Sequence, residues 1–196
     1  MKKVLLMGDS IRMGYDEFVR DLLKDTCEVV YEEDNGRFSA YSLWQINQIF
    51  RRERHFDVVH WNNGYWDMHI EPPMSGPIHP VTEYVSFLRR MLAEIRRNGA
   101  RPIFATTTPI LAPEAADALG YHSDWDHYRD EWVREYNGAA VALMTAEGVP
   151  VNDLYALCKK DPQYYKCPDR LHLTEEGYRR CAGQVAAMVV RELEKI

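Results

Sequence analysis

Two short stretches of this chain hold the residue types of acyl-transfer chemistry. Ser10 ends an apolar run in "MKKVLLMGDSIRMGY", and Asp169 and His172 stand three apart in "CPDRLHLTEEGY". A serine hydroxyl is a poor nucleophile until a base takes its proton. An imidazole can be that base, and a carboxylate on the same short turn can fix the ring's tautomer and stabilise the imidazolium. A serine at a strand-to-helix turn also has its own amide at a helix N-terminus, placed to donate to a developing oxyanion. Each signal also has a plainer reading. Ser10 alone reads first as a helix cap, and an Asp and a His near a helix start are common on surfaces.

The three residues can act together only if the fold joins the two ends of the chain. Short apolar runs at Val4–Met7, Glu28–Tyr31, Asp57–Trp61, Pro102–Thr106 and Val149–Asn152 read as strands. Between them lie helical patterns: Ile11–Leu23, with Ile11, Tyr15, Phe18, Val19 and Leu22 on one face; Tyr41–Phe50; Thr82–Arg97, closed by Gly99; and about Asp124 to Glu147. A last helix starts near Thr174, which can cap it. Continuous apolar strands separated by helices predict a parallel sheet covered on both faces. The expected architecture is a single domain over residues 1–196, a three-layer α/β/α sandwich around a five-stranded parallel sheet. Its site then lies at the carboxyl ends of the strands, where strand order switches. Ser10, Gly36, Asn62–Asn63, the Thr107 loop and the Asp169 loop all map there.

The net charge of -6 among 196 residues argues against nucleic acid and membrane as partners, because both call for a basic face. The apolar stretch after Met1-Lys2-Lys3 is about four residues, short of the roughly 7–15 of a signal peptide, so a cytoplasmic location is expected. Cys27, Cys158, Cys167 and Cys181 lack metal-site spacing and read as reduced thiols, with a Cys158–Cys167 bridge as the exported alternative.

Together, "LLMGDSIRMG" and "PDRLHLTEEGY" resemble the end blocks of the SGNH hydrolases, also called GDSL-type esterases and lipases. The resemblance runs along essentially the whole chain and implies the flavodoxin-like α/β/α fold. It implies Ser10 as nucleophile, His172 as general base and acid, and Asp169 as orienting carboxylate. It also implies an oxyanion hole from the amides of Ser10 and Gly36 and an asparagine side chain. Here the third block departs from the family's Gly-x-Asn-Asp: "VVHWNNGYWD" places Gly64 at the asparagine position in an ungapped match. Asn63 is the expected donor, with Asn62 as alternative. Gly36 also reads simply as part of an Asn-Gly turn.

Around these residues, Asp9, Trp61, Tyr65 and Trp66 are candidates for the substrate site. Asp9 is expected to hold its loop by side-chain hydrogen bonds, and the aromatics either wall a sugar or acyl pocket or pack in the core. Arg12 and Arg37 flank two of the blocks and read as solvated, or as contacts for an anionic substrate. His122, Asp124, Asp126 and His127 have the types of a metal site but suit an acidic helix start equally; no metal or other cofactor is expected. The expected function is hydrolysis of a small acyl ester, acetyl above all, on a small molecule or carbohydrate. The alternatives are a catalytically silent carbohydrate- or ligand-binding domain and an acyltransferase using the same three residues.

Overall fold

The computed structural model describes residues 1–53, 55–120, 128–161 and 167–196. Among these residues the strands are β1 (Lys3–Met7), β2 (Glu28–Tyr31), β3 (Val58–Trp61), β4 (Arg101–Ala105) and β5 (Val151–Asn152). The helices are α1 (Ser10–Leu23), α2 (Ser39–Arg52), α3 (Tyr65–Met68), α4 (Val81–Asn98), α5 (Pro113–Ala118), α6 (Asp130–Ala146), α7 (Leu154–Lys159) and α8 (Glu175–Leu193). All strand pairs are parallel, in the order β2-β1-β3-β4-β5. Residues Val4–Met7 and Val58–Trp61 are buried throughout, as strands covered on both faces must be. The chain runs outward from β1 to β2, then crosses back to place β3 on the other side of β1. That reversal opens a crevice between the carboxyl ends of β1 and β3. Ser10 follows one and Asn62 the other.

α1 and α8 pack together on one face of the sheet; α2, α4 and α6 cover the other. Sequence pattern explains these faces. α4 buries Tyr84, Leu88, Met91, Leu92 and Ile95, a stripe of helical period, and ends on Gly99 at φ 87°. α1 buries Ile11, Tyr15, Val19 and Leu23, whereas Leu22, expected inward, is 58 % exposed. α2 starts two residues earlier than its apolar pattern indicates. The carboxylate of Asp67, fully buried, accepts from the Ser39 amide at 3.0 and 3.1 Å and from its hydroxyl at 2.5 Å. A cap delivered from 28 residues away leaves no local signal. α3, α5 and α7 were not expected at all: each is four to six residues, too short to show a period.

One glycine decides how the two ends of the chain meet. A Cβ on Gly14 would lie 2.2, 2.3 and 2.6 Å from three ring atoms of Tyr178, so only a bare α-carbon lets that ring of α8 rest on α1. α1 begins at Ser10 and α8 follows closely after His172, so this contact sets their approach. Gly14→Ala should lower stability by about 1–3 kcal/mol through overpacking, read as a lower urea midpoint. An unchanged midpoint would show that the Tyr178 ring yields freely.

Candidate active site

Ser10 opens α1, so its amide has no partner within the helix ladder. The cap of α1 is Asp9, whose Oδ1 accepts from the Ile11 amide at 3.0 Å; the capping role considered for Ser10 falls to its neighbour. That leaves the Ser10 hydroxyl to face His172, with Oγ to Nε2 at 2.7 Å. On the other side of the ring, Nδ1 lies 2.6 Å from Asp169 Oδ2. Asp169 is itself fixed: its Oδ1 accepts from the amides of Leu171 and His172 at 3.0 and 2.9 Å. Arg170, at φ 60°, turns the chain so that both amides point back at the carboxylate. Burial pushes the Asp169 carboxyl up, but the His172 ring and the two amides outweigh it and hold the group below the usual range. A carboxylate ionised in this position fixes the proton on Nδ1 and leaves Nε2 to accept from Ser10.

Asp9 does not line the cavity beside Ser10. It is fully buried, and its Oδ2 has no hydrogen-bond partner. Burial pushes its carboxyl up to about 6 from 3.8, against the pull of the Ile11 amide and the neighbouring His172 and Arg12. Between those two pH values the folded chain therefore holds a proton that the unfolded chain has lost, so stability falls as pH rises. Asparagine at position 9 can keep the cap without that penalty. Asp9→Asn should gain on the wild type as pH rises from 4 to 7, by about 3 kcal/mol for a shift of roughly two pH units. Urea midpoints at the two pH values check this; a gap that stays constant would contradict it.

Arg12 is neither solvated nor at the substrate's side. It is 2 % exposed, pairs with Asp16, and donates to the carbonyls of Glu32 at 2.8 Å and Asp34 at 3.0 Å. It thereby ties the turn after β2, which carries Gly36, to α1. Arg37 is exposed and pairs with Asp34 at 3.4 Å.

The expected oxyanion donors are brought to the crevice but are engaged there. The Gly36 amide donates to Gly8 O at 2.9 Å, and a Cβ on Gly36 would lie 2.6 Å from that oxygen, which explains the glycine. Asn63 Nδ2 donates to Ser42 Oγ at 2.8 Å and Arg37 O at 3.2 Å. Asn62 Nδ2 donates to Ala105 O at 2.9 Å and Thr107 Oγ1 at 3.3 Å, joining the ends of β3 and β4. Both asparagines thus hold loops together. The departure at Gly64 is built into the packing, because a Cβ there would lie 2.1 Å from Thr107 Oγ1.

A cavity of about 520 Å³ opens beside Ser10, Asp169 and His172. Tyr65 and Trp66 line it, as the sequence suggested. Trp61 does not: it is wholly buried with its ring edge-on to Phe104 at 5.2 Å, a core residue of β3. The Tyr65 hydroxyl donates to Thr108 O, which holds its ring at the wall. His69, close to that aromatic stretch, lines the cavity too, as do Glu71, Met74 and Ile78 of the Pro-rich loop at residues 71–80, a segment whose sequence suits a pocket wall. Sequence reasoning missed Tyr128, just before α6, and Leu171, in the Asp169 turn, where no period marks an inward face. It also missed Asn137, whose amide exchanges two bonds of 2.8 Å with the backbone of Thr107 and so anchors that loop.

His60 is buried in β3, where desolvation pushes its pKa down to about 3, and accepts from Asn152 Nδ2 at 3.0 Å. Cys158 faces Cys181, Sγ to Sγ 3.6 Å, rather than Cys167. His122, Asp124, Asp126 and His127 lie outside the described residues. No described helix is long and apolar enough to cross a membrane.

The sequence matches the GDSL-like Lipase/Acylhydrolase family over residues 6–180. Among solved structures, a lipase/acylhydrolase from Enterococcus faecalis superposes with a TM-score of 0.76 at 20% identity, covering 96% of this chain and 95% of that one. An acetyl xylan esterase gives 0.74 at 20% identity, over 95% and 99%. An M. smegmatis aryl esterase gives 0.75 at 12% identity, over 97% and 99%. These likenesses show a shared fold. A search of curated proteins gave no match.

Proposed function

The chain belongs to the GDSL-like lipase/acylhydrolase family, and from that premise we propose that it is a serine carboxylester hydrolase acting through Ser10, His172 and Asp169. The observation that carries this reading is the unbroken line Ser10 Oγ–His172 Nε2 and His172 Nδ1–Asp169 Oδ2, at 2.7 and 2.6 Å, opening on a cavity.

In the proposed cycle Ser10 Oγ attacks the ester carbonyl carbon while His172 takes its proton. The oxyanion rests first on the Ser10 amide at the head of α1. Gly36 and Asn63 add donors if substrate binding releases them from Gly8, Ser42 and Arg37. The carbon–oxygen bond to the alcohol then breaks, and His172 protonates the leaving oxygen. Water gives its proton to His172, attacks the acyl-serine and releases the acid, restoring the Ser10 hydroxyl. The sum is ester plus water to acid plus alcohol.

An acetyl or similarly small acyl group is the proposed acyl half, with a carbohydrate among the candidate alcohols. The neighbouring acetyl xylan esterase and the ring of Trp66 at the cavity support that choice. The engaged oxyanion donors favour the second reading, a ligand-binding domain without turnover. Hydrolysis of p-nitrophenyl acetate between pH 6 and 9, with acetate measured as product, separates the two. Turnover supports the hydrolase; a folded but inert protein supports the binding domain.

A further inference from the structure

The wall of the Ser10 cavity has a chemistry of its own. Four of its rings stand in series. Tyr65 and Tyr128 meet edge-on at 5.6 Å, and His69 stands 5.2 Å from Tyr128 and 6.3 Å from Trp66. His69 Nδ1 lies 2.9 Å from the Tyr128 hydroxyl and its Nε2 3.1 Å from Glu71 Oε2. A carboxylate can only accept, so Nε2–H donates to Glu71, and in the neutral ring the Tyr128 hydroxyl donates to Nδ1. Both ring nitrogens of His69, the Tyr128 hydroxyl and one Glu71 oxygen are therefore engaged with one another, which leaves fewer partners for sugar hydroxyls on this stretch of wall. An acetyl group, three heavy atoms at about 30 Å³ for a water-sized group, fills only a small part of the 520 Å³. The rest leaves room for a bulky group on either half of the ester.

Charge narrows the nature of that group. Glu71 and Asp169 line the cavity, and no Lys or Arg does among the described residues. Aromatic faces beside a carboxylate are the surroundings that a quaternary ammonium prefers, because the ring quadrupoles and the carboxylate both attract a weakly hydrated cation. The net charge of -6 adds to the attraction at a distance.

Resting on the hydrolase reading of this site, we propose that the preferred ester carries a bulky onium group, seated against Trp66, Tyr65 and Tyr128 with Glu71 as counter-charge. The group can belong to either half of the ester. Acetylcholine against 3,3-dimethylbutyl acetate, its uncharged carbon isostere, places it on the alcohol. The ethyl ester of betaine against ethyl 3,3-dimethylbutanoate, compared by KM, places it on the acyl half. One pair should favour the cation by about 2–30-fold, and the ratio should fall toward one in Glu71→Gln and in Trp66→Ala. Equal or better use of the neutral ester in both pairs overturns the proposal while leaving the hydrolase reading intact. Titration of tryptophan emission with tetramethylammonium reads the site without turnover, and binding should weaken at least threefold in Glu71→Gln. Binding without hydrolysis of any ester keeps the onium site and removes the hydrolase; absence of binding, with no cationic preference, removes the site.

Discussion

Ser10→Ala and His172→Ala should each lower kcat for p-nitrophenyl acetate by roughly 10³–10⁶-fold, with far-ultraviolet circular dichroism unchanged. The size follows from the proposed division of labour. Without Oγ no acyl-enzyme forms. Without the imidazole, the hydroxyl has no base within reach and the leaving alcohol no acid. Because the two act as one unit, Ser10→Ala/His172→Ala should be little worse than either single variant. Losses that multiply in the double variant would mean that the residues act separately.

The second large effect is expected at Asp169. Asp169→Asn should cut kcat by about 10²–10⁴-fold and leave KM nearly unchanged. Its Oδ1 can still take the amides of Leu171 and His172, so the turn should persist. What goes is the fixed tautomer: an amide group no longer requires the proton on Nδ1, and an imidazole protonated on Nε2 cannot accept from Ser10. The native carboxyl is held below its unfolded range, so it contributes stability that is present above the unfolded pKa and lost as pH falls through the folded one. Asp169→Asn should therefore be less stable than the wild type at pH 7 and approach it in acid. Equal activity of the two proteins across pH 6–9 would remove Asp169 from the proposed mechanism.

The layer order and the strands were legible because their signals are local. Val4–Met7 and Val58–Trp61 are apolar runs of strand length, and the stripe from Tyr84 to Ile95 has the helical period. The geometry of Ser10, His172 and Asp169 was foreseeable because two short blocks sit at strand-to-helix and loop-to-helix junctions that a parallel sheet brings to one end. Other features depend on partners far along the chain. Asp67 caps α2 from beyond β3, Gly14 is explained only by Tyr178, and Asn62 and Asn63 are drawn into loop bonds by Ala105 and Ser42. Trp61 could not be told from Trp66 by type. Position decides: Trp61 ends a strand covered on both faces, and Trp66 lies beyond it on the short helix at the crevice. The cavity wall was partly legible: Glu71 and Ile78 lie in the Pro-rich loop next to the aromatic stretch, whereas Tyr128 comes from a segment with no repeating pattern.

If His172 makes Ser10 a nucleophile, covalent capture shows it without knowledge of the substrate. The protein is incubated with diethyl p-nitrophenyl phosphate, nitrophenol release is counted, and the modified peptide is located by mass spectrometry. The prediction is one equivalent of nitrophenol and a diethylphosphoryl group on Ser10, absent in Ser10→Ala and strongly slowed in His172→Ala. Labelling that persists in Ser10→Ala, or that settles on another residue at the same rate, would contradict it.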